Sequence, residues 1–451
     1  VTDLALPEDW QIEGAQFLAD RRQAFLADEP GCGKSCQAIR ACDAIGAWSI
    51  LVLVPASVRV NWLREFDKFS LFDRPGVAIL DGKTQPIAGV NVCSYDLLAN
   101  KKLRQSLAAR HWDVLILDEA HFLKTRSAGR TRVVYGRRCD GVNGLAERAT
   151  YVWRLSGTPA PNHVDELWTH MHAACLYQKN WFDFVADFCT GYESDYGFRI
   201  TGTKNADALK ALLHPFMLRR KKADVIPKLP PIEFEYRTVE PAVVDEEVYF
   251  PETIMGGNAH LRQELADQNA QLKAAREGKA DVLETLRTLA PSAGTLRKYI
   301  GLSKVPGYLD VIRPELRARK YDKLLIGAWH NDVVEWLRRE LHEFGAITLY
   351  GGTPAAKRQT LLDKFKTNRA CRVLICQVRV AIGFNATAAY RADLLEPSWV
   401  PAENKQFIDR VHRIGQTGAV TARFFGCGRS IDADITQALA QKARELAKVF
   451  D

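Results

Sequence analysis

The sequence runs to 451 residues, longer than one hydrophobic core accommodates, so two or three domains are expected. With 47% hydrophobic and 26% charged residues it lies outside the range of disordered chains, and a formal net charge of +8 permits a polyanionic partner without requiring one. No apolar run of roughly eighteen residues occurs, and the opening VTDLALPEDW has neither a basic nor an apolar region, so no membrane span or secretory leader is expected. The ten cysteines are scattered without a Cys-x-x-Cys pair, which reads as reduced thiols in a cytosolic-type compartment.

In chain order, the first chemical signal is DEPGCGKS, Asp28 to Ser35. Gly31 and Gly33, with Cys32 between them, form a loop whose backbone N–H groups approach phosphate oxygens. Lys34 then reaches the β and γ phosphates, and the Ser35 hydroxyl suits Mg²⁺. The full pattern has glycine where this chain has Asp28, and no strong strand precedes the loop. Five apolar runs follow or flank it, SILVLVP, GVAILDG, VNVCSYDLL, VLILDEAH and VWRLSGTP, each separated by helical sequence. That alternation predicts an α/β domain whose parallel sheet is buried on both faces. Trp62 and Phe66, at i and i+4, read as core.

VLILDEAH delivers Asp118 and Glu119 at the carboxyl end of a buried strand, where open α/β sheets bind ligands. Asp118 is assigned to Mg²⁺, and Glu119 to orienting and deprotonating an attacking water. An acidic strand end that caps the next helix is the structural alternative for either carboxylate alone.

The segment 165–230 is rich in aromatics and helix formers and is read as a helical insertion of the first α/β domain, which takes 1–164. Within it, HMHAAC (His170, His172, Cys175) has i, i+2 spacing that points to different sides of a helix, so helix packing is expected rather than a metal site. RRKK, Arg219 to Lys222, stays open between a DNA-facing patch and a structural end to the first half. The proline cluster PKLPPIEFE marks the crossing, with 231–241 as linker. A polar helical stretch, Asn258 to Leu289, sits in a second insertion at 242–315. A second strand series, KLLIGAW, AITLYGG, RVLICQ, ADLLEP and VTARFFG, then predicts a second α/β domain over 316–430, followed by a terminal helix over 431–451.

NKQFIDRVHRIGQ places Gln406, Arg410 and Arg413 at i, i+4 and i+7, so one helix face would present an amide and two guanidiniums together. Brought to a nucleotide held by the first domain, such arginines neutralise charge developing on the γ-phosphate. A solvated basic helix is the alternative.

Taken in order, DEPGCGKS, LVLVPASVRVNWLREFDKF, CSYDLL, LDEAHFLKT, LSGTPAPNHVDELW, LRRKKADVIPKLPP, YGGTPAAKRQTLLDKF and QFIDRVHRIGQT resemble the motifs of Swi/Snf-type ATPases, DNA translocases of helicase superfamily two. The resemblance covers about Leu6 to Phe425, and PASVRVNW with LRKYIGLSKVPGYLDVI is most similar to the annealing-helicase branch. It implies two RecA-like lobes in tandem with helical insertions, and ATP with Mg²⁺ as cofactors. It further implies that Gln11 recognises adenine and that Ser156, Gly157 and Thr158 couple nucleotide state to the DNA track. Gly383, Asn385 and Thr387 match the later coupling motif, Asn385 and Thr387 also facing DNA, although CQVRVAIG departs from the family's usual small and polar residues. Ser57, Asn61, Lys124, Gly352, Thr353 and Arg358 match positions where relatives grip a phosphate backbone, contacts that position DNA without reading bases.

The resulting expectation is an ATP-dependent translocase on double-stranded or branched DNA that anneals strands, regresses forks or migrates branches. It would act as a monomer, away from membranes, in the cytoplasm of a bacterial or virus-infected cell rather than in a nucleus. A strand-separating superfamily two helicase on DNA or RNA, and a nonhydrolysing scaffold switched by ATP, remain the alternative functions.

Overall fold

Two parallel sheets organise the computed structural model, in which residues 7–136, 143–194, 197–240, 242, 290–380, 384–427 and 446–450 are described. The chain divides into a first unit, up to Leu229 together with residues from Lys442 onward, and a second unit, Pro230–Gln441.

The first unit carries β1 (Gln23–Leu26), β2 (Ile50–Val54), β3 (Val77–Ile79), β4 (Val90–Ser94), β5 (Trp112–Asp118), β6 (Ala149–Leu155), the hairpin β7 (Cys189–Ser194) and β8 (Gly197–Thr203), and β9 (Met217–Leu218). All but the hairpin form one sheet in the order β3-β4-β2-β5-β6-β1-β9, with parallel pairing throughout. The five apolar runs read from the sequence are β2 to β6. In β2 and β4 every residue is buried, as covering a sheet on both faces demands. Where no strong strand was expected before the phosphate loop, β1 stands: four residues, QAFL, enclosed between β6 and β9. Its brevity hides it from periodicity, and its neighbours supply the ladder.

The second unit carries β10 (Ile232–Val239), β11 (Leu324–Ala328), β12 (Ile347–Leu349), β13 (Val373–Gln377), β14 (Arg391–Leu394) and β15 (Val420–Cys427), parallel in the order β10-β15-β14-β11-β13-β12. The last five match the second apolar series. The first differs from expectation: most of 231–241, read as linker, is an edge strand. IEFEYRTV alternates charge with aromatic side chains, only Val239 is buried, and Tyr236 stacks on Phe424 with ring centroids 5.1 Å apart. Such alternation fits a strand paired on one side and wet on the other.

Inside the second unit, fully buried Arg423 forks onto Asp393, with Nε to Oδ1 and Nη2 to Oδ2 both at 2.7 Å, and its Nη1 reaches Glu315 at 2.8 Å. Tyr308 donates to the same Asp393 carboxylate at 2.8 Å. This ion cluster fixes β14, β15 and the long helix Ala290–Arg317 together. The segment 165–229 combines short helices with β7, β8 and β9 rather than helices alone. The polar stretch Asn258 to Leu289 lies outside the described residues, as does the terminal helix apart from 446–450. Among the described residues no disulfide joins any of the nine cysteines, and no helix is long and apolar enough to cross a membrane.

Candidate active site

Register in the first sheet sets the site. Leu26 of β1 pairs with Leu155 of β6, and Leu155 pairs with Asp118 of β5, so three strand ends finish in one row. The loops that leave that row carry Asp28 to Lys34, Asp118 and Glu119, and Ser156 to Thr158. Parallel strands ending level concentrate the following loops at one edge, the usual ligand position in such sheets.

In the phosphate loop, Gly31 has φ 95° and Gly33 φ 77°, left-handed values that spare a side-chain penalty only at glycine. Gly33 is the N-cap of helix Lys34–Ala44, and a Cβ there would lie 2.1 Å from Gln11 Nε2. Gln11 is therefore pressed against the loop, with Nε2 also 3.4 Å from the Cys32 carbonyl. Lys34 Nζ donates to the carbonyls of Asp28 at 2.7 Å and Glu29 at 3.2 Å, which folds the side chain back over its own loop. Ser35 follows in the first turn of the helix. Burial pushes the Cys32 and Cys36 thiols up to about 11, which keeps them protonated and unreactive near neutral pH.

Asp118 accepts from Trp62 Nε1 at 2.7 Å and from the Glu119 N–H at 3.0 Å. Burial first, then the Glu119 charge, pushes its carboxyl up to about 7; the Trp62 bond and the positive charge of Lys34 oppose the shift. Trp62 and Phe66 are buried as expected, but Trp62 also orients the acid. Glu119 adopts φ 48°, ψ 52°, a left-handed conformation rare outside glycine, of the sort that costs about 1–3 kcal/mol. Tyr95 OH holds the Asp118 carbonyl at 2.8 Å beside that turn.

From Glu119 a polar chain leads to β6. His121 Nδ1 lies 3.3 Å from Glu119 Oε2 and 3.0 Å from Ser156 Oγ, and Ser156 Oγ accepts from the Thr158 N–H at 3.2 Å. His121 was absent from the residues singled out in the sequence, although it stands inside the DEAH run. A Cβ on Gly157 would meet the Pro30 ring at 2.6 Å, so the turn Ser156 to Thr158 packs directly on the loop that carries Lys34.

Other expected residues fall elsewhere. Ser57 lies in the turn after β2, and Asn61 in helix Arg59–Phe69. Lys124 pairs with Glu166 at 2.6 Å, and Glu166 also takes the Asn162 backbone at 2.9 Å and side chain at 2.8 Å. His170 and His172 diverge: the first bonds buried Tyr135 at 2.8 Å, the second stacks on Trp168 at 4.6 Å.

In the second unit the expected helix face is corrected. The helix is Pro401–Ile408, and Arg410 and Arg413 lie beyond it in turns. Tertiary bonds capture the backbone there: Ala386 N–H takes the Arg410 carbonyl at 2.9 Å, while buried Gln416 Nε2 holds the carbonyls of Ala389 at 2.9 Å and Val411 at 3.1 Å. The two guanidiniums still converge, each with Nη1 3.3 Å from the Phe384 carbonyl, and Arg410 Nε bonds the carbonyl of Gln406 at 3.1 Å. Asn385 and Thr387 lie alongside, joined by a side-chain turn at 2.9 Å. Gly383 lies outside the described residues. Gly352 and Thr353 line an open cleft of about 430 Å³ together with Arg338 and Lys357. Arg358 is buried nearby, with Nη2 3.4 Å from the Tyr350 carbonyl. Gln377, at the departure from the family pattern, spans from the Trp329 carbonyl at 3.1 Å to the Gly351 N–H at 3.4 Å.

The SNF2-related domain family matches residues 10–292, and the helicase conserved C-terminal domain family matches 307–415. The SWI/SNF-related matrix-associated actin-dependent regulator of chromatin subfamily A-like protein 1 of Xenopus tropicalis is 28% identical over 97% of this chain and 44% of its own length. The DNA annealing helicase and endonuclease ZRANB3 of Mus musculus is 27% identical over 96% of this chain and 40% of its own. The chain thus spans less than half the length of these two curated relatives. Among solved structures, the Sulfolobus solfataricus SWI2/SNF2 ATPase core in complex with dsDNA aligns at 21% identity, over 97% of this chain and 91% of that one, with a TM-score of 0.43.

Proposed function

Because this chain belongs to the SNF2-related family of helicase-like ATPases, we propose that it is an ATP-driven translocase on double-stranded DNA that remodels branched or protein-bound substrates. The observation that carries the reading is the Glu119–His121–Ser156 chain beside the phosphate loop: a carboxylate able to work on water lies 3.3 Å from His121 Nδ1, and that nitrogen bonds Ser156 in a turn that packs on the nucleotide loop. The name of one relative, a DNA annealing helicase and endonuclease, supports DNA as the substrate class.

In this reading Gln11 contacts adenine, the Gly31–Gly33 backbone and Lys34 hold phosphates, and Glu119 orients a water and takes its proton. Ser35 and Asp118 offer hard oxygen ligands on the two loops, a donor set that fits Mg²⁺. When bound, the ion would neutralise charge on the phosphate oxygens. Arg410 and Arg413, with Gln406, supply positive charge and a donor for the γ-phosphate. Ser57, Asn61, Lys124, Gly352, Thr353, Arg358, Asn385 and Thr387 are assigned to the DNA backbone.

The test measures ATP hydrolysis with single-stranded, duplex, forked and four-way DNA at fixed salt, because phosphate-driven binding falls steeply with ionic strength. Stimulation by duplex or branched DNA is expected, together with displacement of the third strand from a triplex and no opening of a simple duplex. Duplex opening would instead assign a strand-separating helicase, and an absence of turnover would assign a nonhydrolysing scaffold.

A further inference from the structure

In the run Arg219–Lys222, open in the sequence between a DNA patch and a structural end, Arg219, Arg220 and Lys222 turn inward and Lys221 is exposed. We propose that this run, with Leu218 before it, is a strap that positions the nucleotide loop, locked by an Arg220–Asp28 ion pair; the inference rests on the ATPase reading above.

The strap backs the loop residue by residue. Ala27 N–H donates to the Leu218 carbonyl at 2.7 Å, Glu29 N–H to the Arg220 carbonyl at 3.1 Å, and Lys222 N–H to Glu29 Oε2 at 2.9 Å. Arg219 Nη1 reaches the carbonyls of Ala27 at 3.0 Å and Gly157 at 3.3 Å, so the same run also touches the turn Ser156 to Thr158. Lys222 is only 4% exposed. A DNA-facing patch would hold these groups outward.

The lock lies at Asp28, the position where the usual phosphate loop has glycine. Its carboxylate is wholly buried. Oδ1 accepts from the Arg220 backbone N–H and from Nε, both at 3.1 Å, and Oδ2 from Arg220 Nη2 at 2.6 Å and Gln37 Nε2 at 3.1 Å. A planar guanidinium satisfies both oxygens at once, which a lysine does not. Two consequences reach the nucleotide groups. The carbonyl of this same Asp28 holds Lys34 Nζ, so fixing the aspartate fixes the phosphate-binding ammonium. Gln37 Nε2 also holds the Cys32 carbonyl at 3.1 Å, the atom on which Trp10 Nε1 and Gln11 Nε2 both rest at 3.4 Å. Arg220 Nη1 donates to the Trp10 carbonyl, closing the circle on the helix that bears Gln11. Arg220 and Asp28 are therefore positioning residues, acting through Lys34 and Gln11 without touching nucleotide.

The experiment pairs steady-state hydrolysis with binding of a fluorescent ATP analogue, in full-length Asp28→Asn, Arg220→Gln, their double variant and Arg220→Lys, with circular dichroism as the check on folding. Each single variant is expected to weaken analogue binding and raise KM for ATP by about tenfold, while kcat at saturating ATP stays within about threefold. The double variant should lose less than the product of the two, because each single change already breaks the lock. Arg220→Lys, which keeps the charge without the fork, should fall in between, and it carries the measurement if the neutral variants do not fold. Wild-type binding in folded variants, multiplicative losses, or a loss confined to kcat would overturn the inference. A wild-type protein that binds the analogue without hydrolysing ATP would overturn the ATPase reading alone, since the binding comparison still stands.

Discussion

The strand ends of the two sheets carry opposite chemistry. In the first unit they gather Asp118, Glu119, His121 and Ser156, with the positive charge of Lys34 acting on Asp118, an arrangement for handling water, protons and a hard cation. In the second, the Gln377 amide at the end of β13 spans the Trp329 carbonyl and the Gly351 N–H, and past that strand Arg410 and Arg413 meet on the Phe384 carbonyl. The buried arginine of the second core, Arg423, is instead enclosed by two carboxylates. Arg423 is thus held inside the scaffold by carboxylates, whereas Arg410 and Arg413, proposed to meet phosphate, share one backbone carbonyl that orients them both.

Several substitutions would break or sharpen that contrast. The largest effect is expected from Arg413→Ala, which should lower DNA-stimulated kcat by about 10³–10⁵-fold with analogue binding retained; a loss of binding with kcat preserved would move Arg413 from the chemistry to the ground state. Glu119→Gln should reduce turnover by about 10²–10⁴-fold, read in single-turnover hydrolysis, and normal rates would remove Glu119 as the base. Asp393→Asn leaves a fully buried guanidinium with Glu315 as its remaining carboxylate and should cost the second unit ~1.5–3 kcal/mol, seen in guanidinium denaturation as an earlier transition for that unit alone. Turnover per folded molecule should be unchanged, since the Arg423 cluster holds the scaffold only. Lys124→Gln should have the smallest effect: weaker DNA binding for every sequence, and a salt-dependence slope lower by about one. A slope that does not move would leave Lys124 as the partner of Glu166 and take it off the DNA track.

Much of the architecture was legible in the sequence where burial on both faces forces a continuous apolar run, as in ILVLV of β2 and VLICQ of β13. It was hidden where neighbours, not composition, make the strand. β1 is four residues long between two partners, and β10 alternates because one side stays wet. Asp118 and Glu119 could be found because a strand end leaves carboxylates in a fixed place. The pairing of Asp28 with Arg220 could not, since 192 residues separate them and only the fold makes them neighbours. Arg410 and Arg413 were grouped correctly on a wrong geometric premise. Helical spacing suggested one face, yet the helix stops at Ile408 and a shared carbonyl brings the two together instead. Trp62 shows a further limit: its burial followed from spacing, but nothing in the sequence marks the indole N–H as the partner of Asp118.

The first unit recruits residues from far along the polypeptide. Val449 is buried in its core, and Arg219 both donates to the Phe450 carbonyl at 3.2 Å and lies over the Phe450 ring at 5.2 Å. Synthesis proceeds from the N-terminus, so this half emerges from the ribosome first and is finished last, after the whole of the other half has been translated. A nascent chain halted short of Phe450 would lack one anchor of Arg219, leaving the strap behind the nucleotide loop held by fewer bonds until that residue is in place.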